Sequence, residues 1–392
     1  MRQKECEVLV CGGGFAGISA ALASARCGKK TILLEKQFLL GGLGTAGLVT
    51  IYLPLCDGMG KQVTFGIAEE LFRLSISLGA EDRYPENWLD FDDVSKRTEK
   101  DKRFEVQYNP QLFAILVEQL LEEAGVEILY GSYAVDVNKT GDRIEDVIIE
   151  NKSGRQKIKV KSVVDATGDC DIAHFSGAPT EVFQQGNVLA AWYYYMDETG
   201  YHLNTLGFAD IPDEQKTKDN QVEMIHSNRF SGFDGDEISY MTKLSHQAIL
   251  ADVLKRRQRG SMVMPTSIAT VPQIRMTRRI VGEYTLHDTE KHTYFDDSIG
   301  MISDWRKRGP VYEIPFTTLY SKNVKNMITA GRCISVTDSM WDISRVIPSC
   351  AVTGQAAGVA AAMTDDFSTL DVKELQNVLE TSGVVLHEKN EV

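Results

Sequence analysis

The first chemically informative feature of the chain is a glycine turn between an apolar, strand-like stretch and a helix-forming stretch. The turn comprises Gly12, Gly14, Phe15, Ala16 and Gly17. Gly12 permits a tight strand-to-helix turn, Gly14 lets a diphosphate approach the backbone, and Gly17 lets the helix pack against the strand. The N–H groups at the beginning of that helix, together with its dipole, are suited to bind the diphosphate.

A second apolar strand follows over residues 31–35 and completes a βαβ unit. It ends in Glu35, which lies 23 positions after Gly12 and is followed by Lys36. A carboxylate at this position accepts hydrogen bonds from a ribose 2′-hydroxyl. Because it also repels a 2′-phosphate, the sequence disfavours NADP in this pocket.

Three later segments are rich in small residues and predict backbone contact with an extended ligand. They are a second glycine-rich loop after Lys36, a turn after a strand over 163–165, and an Ala-Gly-Arg turn that precedes an alanine-rich helix over 350–363. Their candidate binding residues are Gly41, Gly42, Thr45, Ala166, Thr167, Gly168, Gly331, Arg332, Gly354, Gln355 and Ala356. The N-terminus of the alanine-rich helix is predicted to face an anionic part of the ligand.

This arrangement resembles the flavoproteins of glutathione-reductase type, and more closely the bacterial FAD-dependent oxidoreductase group. The similar segments are 10–17 with Glu35, Gly41-Gly42 with Thr45, 165–169 with 176–178, 275–282, 330–332 and 345–358. They span most of the chain. The resemblance implies an α/β fold with a Rossmann-like FAD-binding domain of glutathione-reductase type and an inserted mixed α+β substrate domain.

The same resemblance implies a position for each part of an extended FAD. The pyrophosphate would meet Gly12, Gly14, Gly17 and Arg332, and the adenosine ribose would meet Glu35. The adenine would lie beside the backbone of Val135 with Thr167-Gly168 nearby, and the flavin beside residues 354–356. No histidine precedes His174, so the histidine that attaches flavin covalently in some relatives has no counterpart. We therefore expect non-covalent FAD.

Arginine and histidine side chains are the candidates for catalysis. Arg275, Arg278 and Arg279 are close together, and arginine binds carboxylates or polarises a carbonyl oxygen. We expect Arg275 or Arg278 to face the flavin, where charge develops during hydride transfer. Arg345, just before the alanine-rich helix, is expected near the flavin as well, and it either acts there or closes a loop by an ion pair. His246 and His287 are candidates for proton transfer, with His246 preferred.

Changes in the residue pattern along the sequence divide the chain into three parts. We predict a discontinuous FAD-binding domain over 1–178 and 322–365, a substrate domain over 179–321, and a C-terminal helix and tail over 366–392. Helices are predicted at 61–78, from Pro110 to Gly125, at 237–259 and at 350–363, and a β-meander at 126–130, 133–138, 142–150 and 155–165. The charged stretch 81–105 is interpreted as a surface excursion.

Composition excludes several classes of protein. The 392 residues carry a formal net charge of −13, which disfavours binding to nucleic acid or anionic membranes. The seven cysteines lack metal-ligand or CxxC spacing, so we expect no metal site and reduced thiols, as in a cytoplasmic protein. The uncharged stretches 8–25 and 346–364 are interrupted by glycine, proline or glutamine and are not interpreted as an export signal or a membrane span.

The sequence favours an FAD-dependent oxidoreductase that transfers hydride at flavin N5 to or from a small polar organic molecule. Only one dinucleotide fingerprint is present, so the flavin is expected to exchange electrons with the substrate and with a separate donor or acceptor. Two alternatives remain open: an NAD-binding, non-redox enzyme resembling thiazole synthases, and a tRNA-associated flavoprotein. The sequence does not define the oligomeric state.

Overall fold

The computed structural model describes residues 2–78, 105–207 and 224–388. In chain order, its strands are β1 (Arg2–Glu5), β2 (Val8–Cys11), β3 (Thr31–Leu34), β4 (Ile51–Tyr52), β5 (Val106–Gln107), β6 (Glu127–Leu129), β7 (Tyr133–Thr140), β8 (Arg143–Asn151), β9 (Gly154–Lys159), β10 (Ser162–Asp165), β11 (Thr180–Val182), β12 (Ala191–Asp197), β13 (Gly200–Leu206), β14 (Met264–Ile268), β15 (Arg278–Ile280), β16 (Ser298–Ser303), β17 (Val311–Pro315) and β18 (Met327–Thr329). Its α-helices are α1 (Phe15–Arg26), α2 (Ile67–Ser77), α3 (Pro110–Glu123), α4 (Asp171–Ser176), α5 (Gly235–Gln258), α6 (Asp338–Ser344), α7 (Ile347–Met363) and α8 (Val372–Thr381).

The central element is a five-stranded sheet with the order β18-β10-β2-β3-β6. All of its strand pairs are parallel. The residues of β2, β3 and β10 are buried throughout, as expected for strands covered on both faces. The prediction of an α/β fold that opens with a βαβ unit is confirmed.

The β-meander prediction is correct in part. β7, β8 and β9 form the predicted antiparallel meander, and β1 adds to β9 in parallel. The predicted strand at 126–130 instead joins the parallel sheet as β6, and the predicted strand at 155–165 divides into β9 and β10. The residue pattern did not distinguish these two sheets, because the strands of both are short, apolar and bounded by turns.

The predicted helices are present with shifted ends. α3 begins as expected, because the side chain of Asn109 accepts hydrogen bonds from the N–H groups of Gln111 and Leu112 at 3.0 Å. α2 is shorter than the predicted 61–78, and α7 begins three residues before the predicted position 350. Most of the predicted surface excursion at 81–105 lies outside the described residues.

A separate, three-stranded sheet has the order β13-β12-β14 and is antiparallel. Successive side chains of β12 point to opposite faces. Tyr193 and Tyr195 pack with α5 in one hydrophobic cluster. On the alternate face, the Tyr194 hydroxyl lies 2.6 Å from the Thr50 hydroxyl, which connects this sheet to the segment after the second glycine loop.

The predicted domain boundary at 321 does not coincide with a break in the hydrophobic core. Leu286, Ile299 and Phe316 belong to the main core cluster together with Val8 of β2. Separate small clusters are formed instead by residues between 189 and 274. In α8, Leu375 and Leu379 also pack into the main core. The residues of the 179–321 segment that form separate clusters therefore end at Ile274, whereas Met276 and α8 pack into the main core. The domain division itself stays a prediction.

The buried helices α1 and α7 pack with backbone against backbone. A Cβ at Gly354 would lie 2.2 Å from the carbonyl oxygen of Ala16, and a Cβ at Gly358 would lie 2.2 Å from that of Ala20. These contacts repeat after four residues, one helical turn, on both helices. The two glycines therefore permit an interhelical distance that a larger side chain would prevent.

Within the described residues, no single helix has the length and apolarity needed to cross a membrane. Only together do α6 and α7, which meet at an angle of 90°, reach that length and apolarity.

We predict that Gly358→Ala destabilises the protein by about 1–3 kcal/mol, because the new methyl group overpacks the α1–α7 contact. The measurement is the thermal unfolding midpoint. Gly235→Ala is the control, since Gly235 begins the exposed end of α5 and has no atom within 4 Å of its Cβ position. Equal midpoints for the two variants would contradict the packing argument.

Candidate functional site

A cleft lies at the carboxyl-terminal edge of the parallel sheet, where ligands bind in open α/β folds. The candidate residues that line it are Gly12, Gly14, Phe15, Ala16, Glu35, Lys36, Gly41, Gly42, Ala166, Thr167, Gly168, Gly331, Arg332 and Arg345. These residues come from segments up to about 330 positions apart in the chain. The fold therefore brings the four glycine-rich segments of the sequence together at one site.

The first glycine turn has the geometry of an anion-binding site. Gly12 has a φ of +103°, and a Cβ there would lie 2.5 Å from the carbonyl oxygen of Ala166. No atom lies within 4 Å of the Cβ position of Gly14, the N-cap of α1, and no side chain caps this helix. The first N–H groups of α1 are therefore available to a ligand in the cleft.

Gly17 does not line the cleft, contrary to the expectation that it meets the pyrophosphate. A Cβ at Gly17 would lie 1.7 Å from the carbonyl oxygen of Gly12. Its role in this structure is the close packing of α1 on the strand-to-helix turn, which was the other expectation for this residue.

Glu35 lies at one end of the cleft, as its sequence position predicted. One carboxylate oxygen accepts the Gly13 N–H at 2.8 Å, and the other accepts the Gln37 N–H at 2.7 Å. Burial raises the pKa of Glu35 above its usual value, and these N–H donors oppose that shift. A carboxylate has about four lone-pair sites, so the group keeps acceptor capacity for a ligand hydroxyl.

The strand predicted to lie beside the adenine contributes different residues from the expected one. Ser132, Tyr133 and Ala134 line the cleft, and Val135 does not. The register between β7 and β8 shifts between Ala134 and Asp136, so Val135 is the extra residue of a β-bulge. The bulge reverses the side-chain alternation that a regular strand would have.

The second glycine loop contacts the first. The N–H of Gly41 donates to the carbonyl oxygen of Gly13 at 2.8 Å. Thr45 is buried and does not line the cleft; its hydroxyl donates to the carbonyl oxygen of Leu40. Thr45 therefore shapes the loop from behind, and its contact with the ligand stays a prediction.

Only the first turn of α7 reaches the cleft. Ile347 and Cys350 line it, whereas Gly354, Gln355 and Ala356 lie one to two turns further along the buried helix. The side-chain oxygen of Gln355 accepts the N–H of Ile67 at 2.8 Å, so this residue fixes the beginning of α2. No side chain caps α7, whose N-terminus is thus a second open helix end at the cleft.

The arginines predicted to act in catalysis occupy distinct environments. Arg345 lines the cleft and is paired with Asp342. Arg332 also lines it, donates to the carbonyl oxygen of Arg275 at 3.2 Å and lies 3.5 Å from Asp169. Arg278 is buried outside the cleft lining, with its guanidinium 3.5 Å from Asp171. Arg278 thus forms an ion pair with the lining residue Asp171, and its predicted role in catalysis stays a prediction.

Arg275 is buried beside the lining residue Ile274 and does not itself line the cleft. Its side chain is 6% exposed, and both terminal nitrogens lack a hydrogen-bond partner. The guanidinium carbon lies 5.0 Å from the centre of the Trp192 ring. Burial, together with the charges of Arg345 and Arg332, lowers the pKa of Arg275 to about 9.

The histidines selected for proton transfer lie elsewhere. His246 is exposed on α5, and His287 is exposed in the loop before β16. Neither lines the cleft. Titration near neutrality was the sole reason for choosing them, and sequence alone does not reveal which histidines face a ligand.

Several cleft residues were not predicted. They include Asp169, Asp171, Val271, Pro272, Ile274, Ile347 and Cys350. Asp169 and Asp171 directly follow the Thr167-Gly168 turn, so their position could have identified them. Burial, together with Asp169 and Asp165, raises the pKa of Asp171 to about 7, and Lys36 and Arg278 oppose this shift.

Two cysteines distant in sequence lie side by side behind the cleft. The N–H of Cys170 donates to the sulfur of Cys333 at 3.2 Å, and both residues are fully buried. Burial raises the pKa of the Cys170 thiol well above its usual value. The Cys170 thiol is therefore protonated, and both cysteines act as packing groups within the described structure.

Two open helix N-termini, a strand-end carboxylate and glycine loops without side chains define a site for an extended, anionic dinucleotide. This places the protein in the class of dinucleotide-binding α/β proteins. The model of the FAD-dependent oxidoreductase family matches residues 7–190 and 187–379. The chain belongs to this family. It is an FAD-dependent oxidoreductase, and its cofactor is FAD.

Other comparisons give distant similarities. A thioredoxin reductase of Ureaplasma parvum is 30% identical over 78 residues, which are 20% of this chain and 25% of that protein. This chain therefore matches a quarter of the length of that relative. A geranylgeranyl bacteriochlorophyll reductase-like structure from Thermoplasma acidophilum is 13% identical, covers 97% of this chain and 83% of that chain, and has a TM-score of 0.47. The p-nitrophenol 4-monooxygenase of Pseudomonas putida is 11% identical, with coverage of 100% and 91% and a TM-score of 0.46.

We predict that Glu35→Ala lowers the affinity for FAD by roughly 10- to 150-fold, because a hydrogen bond to a charged acceptor contributes about 1.5–3 kcal/mol. The measurement is the flavin-to-protein absorbance ratio after purification and titration with FAD. Glu123→Ala, at the exposed end of α3, is the control and should retain full flavin content. Unchanged affinity in Glu35→Ala would place the ribose elsewhere.

A second prediction concerns the pH dependence of stability. Asp171 has a raised pKa of about 7 in the folded protein, against 3.8 for an ordinary aspartate. The folded state thus binds more protons than the unfolded state between these values, so this group's contribution to stability falls as pH rises from about 4 to about 7. Thermal midpoints of Asp171→Asn should lack this decline relative to the parent protein. Parallel profiles for the two proteins would show that Asp171 titrates normally.

Proposed function

We propose that the protein oxidises or reduces a small polar organic molecule by hydride transfer. The architecture proposed is that of the glutathione-reductase type, with FAD bound non-covalently and extended along the cleft. When bound, FAD supplies a two-electron centre that exchanges hydride at N5. The observation that carries the proposal is the cleft itself, with Glu35 at one end and the positive group of Arg332, Arg345 and Arg275 beside the N-terminus of α7.

The chain's own residues would perform binding and electrostatic tasks. The open N-terminus of α1 would bind the diphosphate, and Glu35 would accept a ribose hydroxyl. Arg345 and Arg275 would attract and orient a substrate through a negatively charged group. Ile347, Val271, Pro272 and Ile274 give the cleft apolar walls that limit access of water.

The arrangement favours this function over the alternatives considered from sequence. Membership of an FAD-dependent family replaces the NAD-binding, non-redox interpretation. The net charge of −13 disfavours a tRNA-associated role, and no feature of the described residues favours it. The proposed partners are therefore a small-molecule substrate and a separate electron donor or acceptor.

The electron source provides the test. Gly12 and Gly14 of the one dinucleotide fingerprint line the cleft, and we assign this fingerprint to FAD. Under anaerobic conditions, NADH or NADPH alone should therefore bleach the flavin absorbance slowly or not at all. A reducing organic substrate from a panel of hydroxy acids, sugars and saturated acids should bleach it within the time of turnover.

The outcomes are distinct. Fast reduction by micromolar NADH in a stopped-flow experiment would make the protein a nicotinamide-driven reductase. Hydroxylation of a substrate, detected by incorporation of oxygen from labelled O₂, would contradict simple hydride exchange.

A further inference from the structure

Four arginines beside the cleft have only three aspartate carboxylates between them as ion-pair partners. Arg345 and Arg306 share Asp342, Arg306 also pairs with Asp304, and Arg332 lies 3.5 Å from Asp169. Arg275 is the fourth arginine of this group and pairs with none of these three carboxylates. The four arginines and three aspartates of this group therefore leave one positive charge, that of Arg275, without a paired carboxylate.

This excess charge is costly unless an anion is present. Both terminal nitrogens of Arg275 and the Nε atom of Arg345 are buried without a hydrogen-bond partner. A buried, uncompensated guanidinium lowers stability, and folded proteins keep such groups where a ligand completes them. Although its pKa is lowered to about 9, Arg275 remains protonated at neutral pH.

Arg275 and Arg345 lie near the part of the cleft that is proposed to bind the substrate. Arg345 immediately precedes the N-cap of α7, whose first turn lines the cleft through Ile347 and Cys350. Arg275 follows Ile274, another lining residue, and packs on Trp192 of β12 in the three-stranded sheet. The diphosphate-binding turn at Gly12–Gly14 has its own donors in α1, so it does not require this pair.

The surroundings define the shape of the missing anion. The apolar wall of Val271, Pro272 and Ile274 suits a carbon skeleton rather than a hydrated inorganic ion. Guanidinium groups bind carboxylates in a planar, bidentate manner. An organic carboxylate satisfies both requirements.

We propose that Arg275 and Arg345 form the receptor for the carboxylate of an organic acid, which is the substrate of the proposed redox reaction. This inference rests on the proposed function and specifies its substrate class. Arg345 presents the charge at the cleft surface, and Arg275 supplies the uncompensated charge behind it. Both are binding residues in this account.

The test uses the FAD-loaded protein and simple carboxylates with their uncharged amides. Benzoate and propionate are titrated against benzamide and propionamide, with the visible flavin spectrum and the thermal midpoint as readouts that need no turnover. Arg275→Gln removes the charge, Arg275→Lys keeps it, and Arg155→Gln makes the same charge change on the exposed strand β9.

We expect the carboxylates, and not the amides, to shift both readouts in the parent protein and in Arg155→Gln. Arg275→Gln should weaken carboxylate binding by roughly 10- to 150-fold, the loss expected for a charged hydrogen bond. Arg275→Lys should bind with intermediate affinity. The midpoint of ligand-free Arg275→Gln should equal or exceed that of the parent, because the variant removes an unbalanced buried charge.

Three results would overturn the proposal. Carboxylates without effect on the parent protein would exclude the receptor, and equal affinity in Arg275→Gln would exclude this arginine. Loss of FAD from Arg275→Gln would show that the cofactor phosphates are its counterion. Failure of the proposed function gives a different pattern, in which carboxylates bind through Arg275 but no organic acid ever exchanges electrons with the flavin.

Discussion

The site depends on the direct backbone contact between α1 and α7. Gly354 and Gly358 of α7 lie against the carbonyl oxygens of Ala16 and Ala20 of α1, with no space for a Cβ. Because this contact fixes the beginnings of both helices, two uncapped N-termini meet at one edge of the parallel sheet. Their combined dipoles create a positive region that neither helix would provide alone. The glycines of α7 thus act on the ligand through helix packing.

Features that depend on neighbouring residues could be predicted from the sequence. The strand, the turn at Gly12–Gly14, α1 and the strand ending at Glu35 form one continuous segment whose requirements are local. The beginning of α3 was equally predictable, since Asn109 and Pro110 are adjacent to the helix that they start. Most of the glycine-rich segments therefore identified cleft residues correctly, and the family assignment agrees with the FAD-binding interpretation.

Features that depend on distant contacts could not be predicted in this way. A single extra residue in β7 removes Val135 from the cleft, and no local signal marks that bulge. Gly354 was interpreted as space for the ligand, although the space is taken by the backbone of α1. The unbalanced charge of Arg275 becomes visible only when the carboxylates around it are assigned to other arginines, and these come from separate parts of the chain.

The central claim is that the cleft binds FAD in one orientation, with the arginine pair at the substrate end. A crystal structure of the protein with its flavin tests this most directly. The account predicts the diphosphate within hydrogen-bond distance of the Phe15 and Ala16 N–H groups, the adenosine ribose at Glu35, and the flavin ring beside Arg345 and Ile347. A diphosphate bound by Arg275, or a flavin ring at Glu35, would contradict it.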